Sequence, residues 1–240
     1  MAVSGAEPAE SRDEELRAAV LAAPGRLRAL LPGLTDEAVR APSALPGWSR
    51  GHLLSHIEGV AHALARQAER ALRGETVDMY DGGRPARDAA IEAGARRGAD
   101  ALRRALADAL DRADAAWRAP GPGDWARPVR YRDADLRAAR AAWWREAEIH
   151  TADALLGPGP ADWSREFCRH TLDFLAPRAP AGTRLTLAAT DGGERVTHGT
   201  GRPLTVRGRL TDLTAWYAGR TPPTAPAADS GPLPPLGPWP

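Results

Sequence analysis

The sequence predicts an α+β protein: a bundle of three or four long helices, followed by a small α+β domain. Three observations carry this reading. Apolar residues recur at helical spacing through long stretches up to residue 156. Two Pro-Gly runs, Pro120-Gly121-Pro122-Gly123 and Gly157-Pro158-Gly159-Pro160, punctuate those stretches. Beyond residue 160 the pattern shortens to strand-like runs around the turn Asp191-Gly192-Gly193-Glu194. The expected organisation is a helical bundle over 1–160, an α+β domain over 161–220 and a Pro-rich tail over 221–240.

Each element has its own signal. Residues 1–12 read as a loose tail. The first helix is expected from Asp13, with Glu14 and Glu15 suiting its dipole, and with an interruption at Pro24-Gly25. A short helical turn opens at Thr35-Asp36-Glu37. Ser49 is a good N-cap for a helix over 50–73, on which Leu53, Ile57, Val60 and Leu64 share one side. Residues 75–86 read as an irregular connection. A third helix starts near Ala86 and runs to 95, or on to Trp117, with Gly94 and Gly98 weakening its middle. The segment 125–131 reads as extended or loop, and a fourth long helix follows over 133–156. Beyond it come a helix at 162–175, a linker at 177–182, and strands at 183–190, 194–200 and 204–207. A last helix at 208–217 closes at Gly219.

Composition excludes several classes. Lys and Arg number 32 against 31 Asp and Glu, for a net charge of +1, so nothing argues for a nucleic-acid partner. Hydrophobic residues are 43% of the chain, which is ordinary for a globular protein. A single cysteine, Cys168, excludes an intrachain disulfide and any cysteine cluster for zinc, and reads as structural. No apolar run approaches the length of a membrane span and no signal peptide is evident, so a cytoplasmic protein with no membrane partner is expected. Nucleophile-elbow, phosphate-loop and His-Glu-x-x-His motifs are all missing from the sequence.

The chemistry-bearing stretch is Ala142-Trp143-Trp144-Arg145-Glu146-Ala147-Glu148-Ile149-His150. Glu146 and His150 are four apart and share one helix face, so a carboxylate and an imidazole could grip one metal ion. The pair alone is weak evidence, because an ordinary surface pair or a buried structural histidine has the same spacing. A third ligand could come from His52 or His56, and helix face alone does not choose between them. Two imidazoles, a carboxylate and an open position would make a catalytic zinc site. Asp153, one turn beyond His150, could accept from an imidazole N–H or be a surface acid. Glu148 should point elsewhere.

The run Leu45-Pro46-Gly47-Trp48-Ser49-Arg50-Gly51-His52-Leu53-Leu54-Ser55-His56-Ile57 resembles the helix-opening motif of the mycothiol-dependent maleylpyruvate isomerase family, part of the wider DinB-like four-helix metalloproteins. Met79-Tyr80 with 86–95, Trp144 to His150 with Asp153, and 208–220 resemble three further family segments, in family order. The likeness touches about 12–220.

The resemblance implies a DinB-like four-helix bundle in the N-terminal half. It places a divalent metal, usually zinc, on His56, Glu146 and His150, and makes His52 the accompanying motif histidine beside the ligands. It makes mycothiol the thiol cosubstrate, and Arg87 and Arg220 the arginines that hold substrate carboxylates or shape the pocket. The implied reaction is thiol addition to maleylpyruvate, rotation, and elimination to fumarylpyruvate. Isomerase-type members read His-Ile-Ala-Arg-Asn-Ala-Asp where this chain has His56-Ile57-Glu58-Gly59-Val60-Ala61-His62. That departure bears on the substrate more than on the metal. It keeps a mycothiol S-transferase acting on another electrophile as the alternative, with a non-enzymatic small-ligand-binding protein behind it.

Overall fold

The computed structural model describes residues 9–240, with side chains from residue 14. The chain divides into two compact units, Met1–Gly157 and Pro158–Pro240, so the boundary falls inside the second Pro-Gly run.

In the first unit, α1 (Ala9–Ala22) starts four residues before the expected Asp13. Residues 9–12 are therefore helix and not loose tail; 1–8 lie outside the described residues. Pro24 interrupts little, because it stands at the first position of α2 (Pro24–Leu30), where its missing N–H is not needed. Ala23 between them stays helical and donates to the Ala19 carbonyl at 3.0 Å. A short helix, α3 (Asp36–Arg40), is capped by Thr35, whose hydroxyl accepts from the Ala38 N–H.

The central helix is α4 (Arg50–Ala71). It packs against α5 (Gly83–Ala95), α6 (Ala99–Arg118) and α7 (Leu136–Asp153). Leu53, Leu54, Ile57 and Leu64 of α4 are fully buried with Leu102, Leu106 and Leu110 of α6 and Trp143 of α7. Each such side chain contributes about 1.5–3 kcal/mol by leaving water. The third predicted helix is two helices, broken at 96–98. Helix α7 starts at Leu136, later than expected, because Arg132 and Asp133 take positive φ (55° and 49°) in a 3-10 turn. It stops at Asp153, and Leu155 beyond it is again left-handed at φ 54°.

Gly94 does more than weaken a helix. A Cβ there would lie 2.4 Å from the Ser55 hydroxyl oxygen, and one at Gly51 would lie 3.0 Å from the Ala95 carbonyl oxygen. The two glycines let α5 press directly on α4.

The second unit holds α8 (Arg165–Phe174), β1 (Thr183–Ala189), β2 (Arg195–His198), β3 (Arg202–Gly208), α9 (Leu210–Tyr217) and β4 (Ala227–Ala228). The sheet order is β2-β1-β3-β4, with β1 antiparallel to β2 and parallel to β3. The chain must therefore cross the start of β1 between β2 and β3. Gly201 makes the crossing at φ 116°, where a Cβ would lie 2.2 Å from the Gly182 carbonyl oxygen. Leu185, Leu187, Leu204 and Val206 are buried with Leu213 of α9. Residues 221–240 are not a free tail. Ala227 and Ala228 pair with β3, the Gly237 N–H donates to the Arg178 carbonyl, and the Trp239 ring lies 5.9 Å from that of Phe174.

Candidate metal centre

Helix α4 and helix α7 are tied together at one end. Ser49 caps α4, and Arg50 beside it donates to the Ala154 and Leu155 carbonyls at the end of α7, at 2.8 Å each. The Ala44 N–H adds a bond to the Asp153 carbonyl at 2.9 Å. These bonds satisfy carbonyls that a helix end leaves without intrahelical partners. They also fix the register in which His56 of α4 meets Glu146 and His150 of α7.

His56 Nε2, His150 Nε2 and Glu146 Oε2 form a nearly equilateral triangle with every side 3.2 Å. Ligand atoms about 2.0–2.1 Å from a tetrahedral zinc ion stand about 3.3–3.4 Å apart. The triangle thus matches three corners of such a site, and its donor set is the nitrogen and oxygen chemistry that zinc takes. It is the one group of three or more potential ligands that converges in this way among the described residues.

Neighbours orient the ligands. Asp153 is buried and its Oδ2 is 2.9 Å from His150 Nδ1, which directs Nε2 at the triangle. The ring of Trp48 meets that of His56 edge-on at 5.6 Å. Arg87 of α5 brings Nη2 to 3.2 Å from His56 Nδ1, while its Nη1 pairs with Asp88. The Arg87 contact suits the imidazole tautomer with the proton on Nε2. An ion on Nε2 requires the proton on Nδ1, so Arg87 must then turn away. The residues fit a divalent ion with that one adjustment.

Electrostatics agree with an anion held between two rings. Burial lowers the His56 pKa, and the charges of His150 and Arg87 act the same way, against Glu146. Burial alone would raise Glu146; its bonds to His150 and His56 outweigh this and hold it well below the usual carboxylate range. Burial opposes charge on His150 too, yet Asp153 and Glu146 push it up to about 9.

Within the first unit, His52 and Glu148 make other contacts. His52 is on the first turn of α4, where its Nδ1 accepts from the Ser49 N–H at 3.2 Å while Ser49 accepts from the His52 N–H. The pair closes a capping box. The His52 ring stacks on Trp48 at 6.3 Å, and its Nε2 stands 3.5 Å from Glu92 Oε2. Glu148 turns away from the triangle and pairs with Arg26 of α2. Arg220 belongs to the second unit, where it donates to the Ala218 carbonyl at 2.9 Å and lies 5.7 Å from the Trp239 ring centroid.

A cavity of about 280 Å³ opens beside Arg87, walled by Gly59, Ala63, Met79, Tyr80 and Ala90 among others. Sequence reasoning gave Tyr80 no role, because it lies in an irregular connection. It shares this wall, and burial raises its pKa, so its hydroxyl keeps its proton. Trp48 was visible only as part of a loop motif.

Comparison with known proteins gives one consistent result. The model of the mycothiol maleylpyruvate isomerase N-terminal domain matches residues 9–155, and that of the MDMPI C-terminal domain matches 162–238. A solved crystal structure of the mycothiol-dependent maleylpyruvate isomerase superposes with a TM-score of 0.83 at 24% identity, over 94% of this chain and 96% of that one. A histidine-to-alanine mutant of that isomerase superposes with a TM-score of 0.82 at 23% identity over the same shares. No curated protein matches the chain.

Proposed function

The chain belongs to the mycothiol maleylpyruvate isomerase family, and on that premise we propose that it is a metal- and mycothiol-dependent cis-trans isomerase of the maleylpyruvate type. The observation that carries the proposal is the His56–Glu146–His150 triangle, with Arg87 at its edge. A divalent ion held there supplies Lewis-acid stabilisation of a thiolate at neutral pH.

The rest is the work of the chain. His56, Glu146 and His150 hold the ion, and Asp153 keeps the His150 proton on Nδ1. Arg87 is the anchor for a substrate carboxylate, because its planar fork suits one. The thiol sulfur bonds to one carbon of the cis double bond, and the electron pair of that bond moves onto the conjugated carbonyl. The protonated Tyr80 and Arg87 are donors for the oxygen that gains charge. Rotation about the resulting single bond follows. The pair then returns, the carbon–sulfur bond breaks, and the thiol leaves unchanged with the trans product. Arg220 enters this reading on the family resemblance alone.

A second reading, mycothiol S-transfer to another electrophile, is favoured by one observation. Gly59 and His62, two positions where the metal helix departs from the isomerase pattern, both line the cavity beside Arg87. The test is to incubate the zinc-loaded protein with maleylpyruvate, with and without mycothiol, following substrate and free thiol together. Thiol-dependent conversion without thiol loss supports isomerase. Failure to convert maleylpyruvate, with mycothiol consumed by another electrophile, supports transferase. Full activity without thiol refutes both and points to metal-bound water.

A further inference from the structure

We propose that the cavity beside Arg87 receives a carboxylate-bearing electrophile with a ring-sized apolar body, and that Gly59 sets the size it admits. This deepens the proposed function and rests on it only in taking the triangle as the reacting centre.

Gly59 lies three residues beyond His56 on α4, so it adjoins the ligand on the same side of the helix. It lines the cavity, and a Cβ built on it meets nothing within 4 Å. No packing constraint asks for glycine here, unlike at Gly94, and glycine is a poor residue for a helix interior. What its absent side chain leaves is room for a ligand. Small groups also line it, Ala63 one turn along α4 and Ala86 and Ala90 of α5, with Met79 as an adaptable apolar surface. The volume is about 280 Å³. An engineered apolar cavity of about 150 Å³ accepts benzene, so a ring with a short side arm fits.

The charge pattern places the carboxylate. Three arginines line the cavity: Arg66 is bound to Asp81, Arg112 to Glu69 through two nitrogens, and Arg87 gives Nη1 to Asp88 and turns Nη2 to His56. Arg87 is the arginine that faces the ligand triangle, and its Nη2 contact with His56 is the one that loading the site releases. A carboxylate on Arg87 would put the apolar body against Gly59 and Ala63, with the adjoining unsaturated carbons at the ligand triangle.

The test compares two unreactive probes of equal charge, propanoate and 3-phenylpropanoate. Their binding to the zinc-loaded full chain is measured by calorimetry. The ring should tighten binding by about tenfold or more, as expected for burying a phenyl group. Gly59→Leu should reduce that preference to near unity with zinc content unchanged. Gly59→Ala, which suits a helix better than glycine, should raise the melting temperature and so show that the position tolerates a side chain. Arg87→Met should weaken both probes by similar factors. A preference below tenfold in the parent protein, or one that survives Gly59→Leu, overturns the proposal. Loss of thiol-dependent turnover would leave these binding ratios untouched, so the two readings fail separately.

Discussion

Zinc binding should release close to one proton per chain at neutral pH, and the proton should come from His150. Burial opposes its charge, but Asp153 and Glu146 raise its pKa to about 9. Glu146 is already ionised and His56 is already neutral at pH 7, so neither supplies a proton. With a pKa of about 9, only about 1% of His150 is neutral at pH 7. The metal must displace that proton. Apparent affinity should therefore strengthen by about tenfold from pH 7 to 8, about 1.4 kcal/mol, and level off beyond pH 9. The sign for the metal-free fold is opposite. A histidine raised on folding contributes stability that is full below its unfolded pKa of 6.5 and is lost as pH rises toward about 9. Calorimetric titration in buffers of different ionisation enthalpy gives the proton count, and a competing chromophoric chelator gives the affinity. Asp153→Asn keeps an acceptor for the His150 N–H but removes the charge. It should lower both the proton release at pH 7.5 and the pH slope. A water on the open position would lose a proton in both proteins, so it cancels in the comparison. Affinity that is flat between pH 7 and 8.5, or identical proton release in Asp153→Asn, would refute the reasoning.

Three further outcomes follow from the same contacts. His56→Ala should abolish stoichiometric zinc, whereas His52→Ala should retain it and cost about 0.5–1.5 kcal/mol of stability as the lost bond from the Ser49 N–H, read by elemental analysis and thermal denaturation. Gly94→Ala should destabilise by about 1–3 kcal/mol, because its Cβ would lie 2.4 Å from the Ser55 hydroxyl, and Ser55→Ala should recover part of the loss in chemical denaturation. Zinc loading should strengthen maleate binding, with much of that coupling lost in Arg87→Met, because the proton then required on His56 Nδ1 turns the guanidinium toward the ligand; calorimetry with and without zinc measures it.

The parts of the fold that depend on short stretches of chain were legible in the sequence. Apolar spacing located α4, α6 and α7, and Pro-Gly runs marked where helices stop. The β1–β2 hairpin followed from its Asp-Gly-Gly turn. Misjudged ends have local conformational causes that residue type signals weakly. Nothing in Arg132-Asp133 announces two left-handed residues, so α7 was begun too early. The role of 221–240 was hidden because strand β4 is only two residues long and exists through its partner β3.

The site divides along the same line. Glu146 and His150 are one turn apart on one helix, so their joint aim follows from helical geometry, and so does the reach of Asp153 to His150. His56 is 90 residues from Glu146, and spacing could not prefer it to His52 without the family motif. The structure separates them physically. A Ser-x-x-His step commits the ring of His52 to the N-terminus of its own helix, while His56 is one turn deeper, where the Arg50 bonds to the end of α7 bring the helices into register. Arg87 needs more still. It stands over His56 because α5 can press against α4, which requires Gly51 and Gly94 to lack side chains. Gly94, which reads as a helix defect in one dimension, is part of what brings α5 to the metal ligands. The sequence-level penalty at Gly94 and the placement of the anion anchor thus have one cause, and Gly94→Ala should disturb Arg87 as well as stability.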